Sequence, residues 1–167
     1  MGIEEHKKHA LKKIGFAVVT VSDTRNEMTD ESGALIMEKL KKEGHSIKDY
    51  RIIKNEREKI EKTLKELLKK NDVDAVIFCG GTGISSKDVT VDAIKPFLQK
   101  ELPGFGEIFR MLSMEEIGTA AMLSRTTAGI ANKKAIFCIP GSKNAARLAI
   151  EKIILKECGH ILWEARR

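Results

Sequence analysis

Cysteine, proline and aromatic residues are all scarce in this chain. Of its 167 residues, three are cysteine, three proline, six Phe, one Tyr and one Trp. Cys79, Cys138 and Cys158 are odd in number and form no C-x-x-C pair. That argues against a disulfide framework or a dithiol redox motif. Cys79 and Cys138 end apolar, strand-like runs and read as buried thiols. The four histidines, His6, His9, His45 and His160, are scattered and do not form a zinc-type cluster. His6 and His9 share a face only if the segment that carries them is helical. So few aromatics leave little for stacking nucleic-acid bases. Long apolar runs are missing too: Ala75-Val76-Ile77-Phe78-Cys79 is typical, far too short to span a bilayer. Residues 1–6 carry two acids and no apolar core, unlike a secretory signal. A cytoplasmic protein is expected.

What remains is a globular composition, 42% hydrophobic and 32% charged, with a net charge of +6. The basic excess suits anionic partners: nucleotides, phosphorylated small molecules or nucleic acid. It does not choose among them. Acids and lysines alternate from Glu56 to Lys70, which reads as a solvated helix face rather than a stripe for nucleic acid.

Hydrophobic periodicity gives the organisation. Residues 1–13 form a polar N-terminal arm, a short helix or a loose segment, and 14–167 a single domain. Residues 14–21 are a continuous, β-branched apolar run, the mark of a strand covered on both faces. Asp30 caps a helix that carries Leu35, Ile36, Met37 and Leu40 and ends at Gly44. A strand over 45–53, a helix over 56–70 and a short apolar strand over 74–79 follow. Beyond them we expect a helix over 90–99 shortened or kinked by Pro96, and a chain break at Pro103-Gly104. A helix over 105–116 and an extended segment over 122–131 come next. Asn132 and Lys133 make a turn into the last strand, 134–139, and a final helix covers 143–156. Strands alternating with helices predict an α/β fold, three αβα layers around a mainly parallel sheet. Ligands in such sheets sit beyond the carboxyl ends of the strands. Four post-strand segments there are small, polar or glycine-rich: Ser22-Asp23-Thr24, Asn55-Glu56, residues 80–88, and Pro140-Gly141-Ser142. Four on one edge suggest one shared site.

The central feature is Gly80-Gly81-Thr82-Gly83. Glycines allow positive φ and close approach of a ligand to backbone N–H groups, which can form an anion nest. The segment is neither a Walker A loop nor the dinucleotide fingerprint, because no Gly-Lys-Ser/Thr follows and Ser86 stands in place of a third glycine. Asp88 reads either as a carboxylate holding Mg²⁺ against phosphates, or as a helix cap or a surface-loop acid. Thr90 is itself a competent helix N-cap. Lys87 reads equally as a phosphate counter-charge or a solvated side chain.

Gly80-Gly81-Thr82-Gly83 followed by Asp88-Val89-Thr90 resembles the GGTG…DVT signature of the MoaB/MogA molybdenum cofactor biosynthesis family, which includes a related domain of gephyrin. Val21-Ser22-Asp23-Thr24-Arg25 is similar to the family's first loop. Leu102-Pro103-Gly104-Phe105-Gly106-Glu107, Leu123-Ser124-Arg125 and Ile139-Pro140-Gly141-Ser142 match further segments, in order, across roughly residues 14–155. The resemblance implies a nucleotidyltransferase, molybdopterin adenylyltransferase, with ATP and molybdopterin as substrates and Mg²⁺ as cofactor. By position it makes Asp88 the catalytic, metal-organising acid and gives the nucleotide phosphates to Gly80, Gly81, Thr82 and Gly83. Ser22, Asp23, Glu107, Arg125, Pro140, Gly141 and Ser142 would border the pocket. Ser142 equally reads as a helix N-cap, and Glu107 and Arg125 as members of a structural ion pair. One departure stands out. Where the family commonly has a second acid, this chain has Asn55, a weaker metal ligand. The alternative is therefore a non-catalytic molybdopterin-binding scaffold or carrier of the same family. An unrelated nucleotide or nucleic-acid binder is supported by basicity alone. The resemblance also implies a homotrimer or a hexamer of trimers. The apolar residues Phe105, Ile108, Phe109, Met111, Leu112 and Met114 agree with that, or with a fully buried helix.

Overall fold

A computed structural model describes residues 2–167, without the side chain of His6. The pairing of His6 with His9 therefore lies outside the described side chains. In chain order the elements are α1 (Ile3–Lys8), β1 (Gly15–Val21), α2 (Glu31–Lys42), β2 (Ser46–Ile53), α3 (Arg57–Leu68), β3 (Ala75–Cys79) and α4 (Thr90–Ile94). They continue with β4 (Lys100–Glu101), α5 (Pro103–Ile117), β5 (Thr127–Ala131), β6 (Lys134–Ile139), α6 (Lys143–Ala149) and α7 (Leu155–Arg166).

The six strands form one sheet in the order β2-β1-β3-β6-β5-β4. β2, β1, β3 and β6 are parallel, while β5 and β4 close the far edge antiparallel. Successive side chains in a strand point to opposite faces, and both faces here are covered. Phe16, Val18, Ile77 and Phe137 face a core shared with α2, α5, α6 and α7. Ala17, Val19, Val76, Phe78 and Ile136 face a second core under α3 and α4. This is the three-layer αβα architecture. Each of Phe16, Phe78 and Phe137 is fully buried, which contributes about 2–3 kcal/mol over leaving it exposed.

Local signals explain most element ends. Asp30 accepts a hydrogen bond from Gly33 N and caps α2, and Gly44 ends it at φ 83°. Asn132 and Lys133, at φ 48° and 59°, make the tight turn between β5 and β6.

Several expectations need correction. The helix opened by Thr90 ends at Ile94 and tightens into a 3₁₀ turn, Lys95–Phe97, because Pro96 has no N–H to continue it. Pro103 does not break the chain ahead of a helix; it is the first residue of α5, where its missing N–H costs nothing. The extended stretch begins only at Thr127, because a 3₁₀ helix occupies Gly118–Leu123. The short edge strand β4 was not foreseen. The last helix does not stop near 156. It passes through a π turn, Ile150–Ile154, and runs on as α7. The N-terminal segment lies against α7: His9 stacks on Trp163 with ring centroids 5.3 Å apart, and Leu11 N donates to Gly159 O. No helix among the described residues is long and apolar enough to cross a membrane.

Candidate functional site

Because β2, β1, β3 and β6 are adjacent and parallel, their carboxyl ends lie side by side, and the loops after Ile53, Val21, Cys79 and Ile139 meet at one edge. The four segments singled out in the sequence are these loops.

The glycine turn is shaped by close packing. Gly80 and Gly81 have φ 117° and 69°, a region L side chains rarely adopt. A β-carbon at Gly80 would strike the Val21 carbonyl oxygen; one at Gly81 would strike the Thr90 hydroxyl and lie 2.9 Å from Asn55 Oδ1. Thr90 is not the N-cap of α4. That position is Val89, and the buried Thr90 hydroxyl donates instead to Gly80 O at 2.8 Å, tying the turn to the helix. Its backbone N–H donates to Gly81 O.

Asp88 closes a surface turn and also faces the cavity. Its Oδ2 accepts from Ser85 N at 3.0 Å, closing a tight 85–88 turn. The same oxygen lies against Gly83, where a β-carbon would come within 2.7 Å. Asp88 also lines a cavity of about 300 Å³ with Gly81, Thr82, Gly83, Pro140, Gly141 and Ser142. Phe109, Ser113, Ile117, Ala120, Ala121, Leu123 and Ser124 complete the lining and bring most of its apolar surface. Ser142 caps α6 through Ala145 N, and the cap leaves it lining the cavity.

Arg125 is a strap around the loop. Its Nε donates to Gly83 O and its Nη2 to Asp88 O, each at 2.8 Å, and its backbone N–H donates to Thr82 O. Nη1 pairs with Asp92 Oδ1 at 2.9 Å. The Arg125 hydrogen bond holds the Asp92 carboxyl below its ordinary range, and Asp92 in turn raises the Arg125 pKa. Glu107 is not the ion-pair partner; it is exposed on α5 and does not line the cavity. Ser22 and Asp23, expected to border the pocket, do not line the cavity and instead organise the neighbouring loops. Ser22 Oγ accepts from Thr24 N and Arg25 N, and Asp23 Oδ1 accepts from Asn55 N at 2.9 Å. Sequence reasoning gave no role to Asp92, Ser113 or the 3₁₀ helix at 118–123. Only the serine next to Arg125, Ser124, could have signalled that wall.

Among the described residues, no three His, Cys, Asp or Glu side chains gather into a metal site. Mg²⁺ asks for less: one or two carboxylates, completed by phosphate oxygens and water. Asp88 offers a carboxylate. Asn55 Oδ1 is buried beside Gly81 with no hydrogen-bond partner among the described residues. The residues thus fit Mg²⁺ when it arrives with a phosphate ligand, not as a preformed metal centre. A larger hollow of about 600 Å³ lies elsewhere, between β4, β5 and α7, and shares no residue with these loops.

Comparison with known proteins agrees with this geometry. Residues 17–160 match the family model described as "Probable molybdopterin binding domain". Molybdenum cofactor biosynthesis protein B of Bacillus cereus is 48% identical over 168 aligned positions, covering 100% of this chain and 99% of that protein. The protein of the same name from Bacillus subtilis is 46% identical over the same shares. A crystal structure of a molybdenum cofactor biosynthesis protein B superposes with a TM-score of 0.90 at 48% identity, over 93% of this chain and 98% of that one. The tungsten cofactor synthesizing protein MoaB from Pyrococcus furiosus superposes at 0.85 with 40% identity, over 95% and 100%. With the fold, the loop cluster and the sequence match in agreement, the chain belongs to the MoaB/MogA family of molybdenum cofactor biosynthesis proteins.

Proposed function

We propose that this chain is a Mg-ATP-dependent molybdopterin adenylyltransferase. The observation that carries the reading is the cavity lined by Gly81, Thr82, Gly83 and Asp88 together with Pro140, Gly141 and Ser142, at the carboxyl edge of the parallel strands. In the proposed reaction the terminal phosphate oxygen of molybdopterin attacks the α-phosphorus of ATP. A new P–O–P linkage forms, and the bond to the departing pyrophosphate breaks. Both reactants are anions, so the site must first overcome their repulsion. The open backbone of the glycine turn receives the nucleotide phosphates, with Thr82 beside them. Arg125 holds Gly83 O and Asp88 O in place, which fixes the turn before the ligand arrives. Asp88, with the Asn55 oxygen nearby, would hold Mg²⁺, which when bound neutralises phosphate charge and orients the α-phosphate. The apolar wall around Phe109 and Leu123 excludes water from the flat ring system of the pterin. Purified protein incubated with molybdopterin, ATP and Mg²⁺ should release adenylyl-molybdopterin and pyrophosphate. No product from folded protein that binds both substrates would reject the enzyme reading.

Asn55 favours a second reading, a non-catalytic molybdopterin-binding scaffold or carrier. A neutral amide oxygen beside Gly81 grips a divalent cation less firmly than a carboxylate does. Molybdopterin binding without Mg-ATP binding would support it.

Assembly into a homotrimer, or a hexamer of trimers, is part of the proposal. α5 is not the fully buried helix its composition allowed. It buries Phe105 and Phe109 but exposes Ile108, Met111, Met114 and Ile117, and Met122 and Leu123 extend that surface. An apolar patch of this kind suits a subunit interface. Sedimentation as a monomer would contradict it.

A further inference from the structure

The first loop contains a charged residue that the proposed chemistry leaves unused. Arg25 follows Val21-Ser22-Asp23-Thr24, and its guanidinium reaches across to the loop after β6. Nη1 donates to Gly141 O at 2.9 Å and to Ser32 Oγ at 3.1 Å. The Ser32 hydroxyl donates to the same Gly141 carbonyl at 2.8 Å, so that one oxygen takes two hydrogen bonds from the β1–α2 region. The arginine is anchored from behind. Asp30, whose side chain is fully buried, has Oδ1 at 3.7 Å from Arg25 Nη1. Asp30 is itself fixed by Thr20 Oγ1 and Tyr50 OH, each donating at 2.6 Å, and by Gly33 N. A buried carboxylate with that many donors is immobile, and so is the cation it faces.

The other side of the Gly141 turn touches the glycine turn. A β-carbon on Gly141 would come within 3.2 Å of Gly80 Cα, and Gly80 N donates to Ile139 O at 2.9 Å. A continuous chain therefore runs from Asp30 through Arg25 to Gly141 and on to Gly80. Arg125 braces the 82–88 segment from one side, and Arg25 braces 140–142 from the other. Each grips backbone carbonyls of its turn while a neighbouring carboxylate, Asp30 or Asp92, faces the guanidinium, so each holds its turn in place.

We infer that Arg25, anchored by Asp30 and Ser32, is a positioning residue that fixes the Pro140–Gly141–Ser142 wall against the glycine turn and so presets the cavity for its anionic ligand. The identity of that ligand rests on the reading given above; the bracing itself does not. Arg25 acts through Gly141 and is not a catalytic residue.

The test compares Arg25→Ala, Arg25→Lys and Tyr50→Phe with the unaltered protein. Tyr50→Phe probes the anchor behind Arg25, because it removes one of three donors to Asp30 and leaves the Arg25–Gly141 contact in place. Amide hydrogen exchange is read on ligand-free protein at Gly80, Ala145 and Ala146, whose N–H groups are tied to this wall. In Arg25→Ala, exchange there should rise about tenfold or more, while amides in α3 stay unchanged. Half-saturation by molybdopterin should need about tenfold more ligand in Arg25→Ala. Arg25→Lys keeps the charge but loses the planar fork, so it should recover only part of both effects. Tyr50→Phe should leave half-saturation within about twofold. Unchanged exchange at these amides in Arg25→Ala, or full recovery by lysine, would overturn the inference. Should Arg25→Ala fail to fold, Arg25→Lys decides it by the same exchange measurement: faster exchange at these amides supports the inference, unaltered exchange overturns it. If the unaltered protein binds no molybdopterin, the functional reading fails, yet the exchange comparison still judges the bracing.

Discussion

The two ends of the parallel strands are built on opposite plans. At the amino end, polar groups are sealed by protein partners. Gly15 N donates to Asp74 Oδ2 at 2.8 Å, and Arg166 Nη2 donates to the other oxygen of the same carboxylate at 2.7 Å. Ile14 N donates to His45 Nδ1, and Lys134 Nζ is enclosed by the Lys70 and Val73 carbonyls. Burial lowers the pKa of that lysine. At the carboxyl end the opposite holds. Two glycines sit at positive φ, the Asn55 oxygen has no partner among the described residues, and Asp88 lines an open cavity. Leaving a buried polar atom unsatisfied costs about 1–3 kcal/mol, so such atoms are expected where a ligand will satisfy them. One end is built for stability, and the other is the end the proposed function assigns to binding.

Substitutions should therefore separate stability from binding according to which end they touch. The largest effect is expected from Asp74→Ala, which leaves Gly15 N and Arg166 without their acceptor. Unfolding in urea should show a loss of about 3 kcal/mol, with ligand affinity of the folded fraction unaltered. A loss of affinity in this variant would break the division. Asp88→Asn should do the reverse, lowering adenylyl transfer about 100-fold while the melting temperature stays within about 2 °C. Gly81→Ala should affect both: its β-carbon meets the Thr90 hydroxyl at φ 69°, costing about 1–2 kcal/mol and displacing the turn. Asn55→Asp should sharpen the contrast, tightening Mg-ATP binding about tenfold by isothermal titration and making ligand-free protein less stable, since it adds a buried charge.

The smallest effect concerns pH. Burial lowers the His45 pKa below its usual 6.5, and its Nδ1 accepts a backbone hydrogen bond, so the folded state favours the neutral ring. The unfolded chain takes up the proton first. Stability should then fall as pH drops below about 6.5 and level off once the folded ring is protonated too. His45→Gln should remove that step from a series of unfolding curves between pH 7.5 and 5.

Much of this architecture was legible in the sequence. Continuous β-branched runs such as 14–21 and 134–139 announce strands covered on both faces, and Gly80-Gly81-Thr82-Gly83 announces a turn at positive φ. The features that were not legible depend on contacts distant in sequence. β4 is two residues long and exists only because Gly129 and Ile130 pair with it. α7 keeps going because Cys158 and Leu162 bury against the core, which its weak pattern did not reveal. Thr90 looked like a cap, yet it is drawn inward by the Gly80 carbonyl. Arg25 and Arg125 bind main-chain oxygens, and a carbonyl carries no sequence signal. The glycines and both arginines were visible in the sequence, but the carbonyls that the arginines hold were not.

The most direct test of the central claim is a titration of isotopically labelled protein with Mg-ATP, followed through backbone amide shifts. The account predicts that Gly81, Thr82, Gly83 and Asp88 move together and saturate, while Gly15, Ala75 and Ala135 at the sealed end stay still. Saturable shifts at the sealed end with the glycine turn unmoved would contradict it.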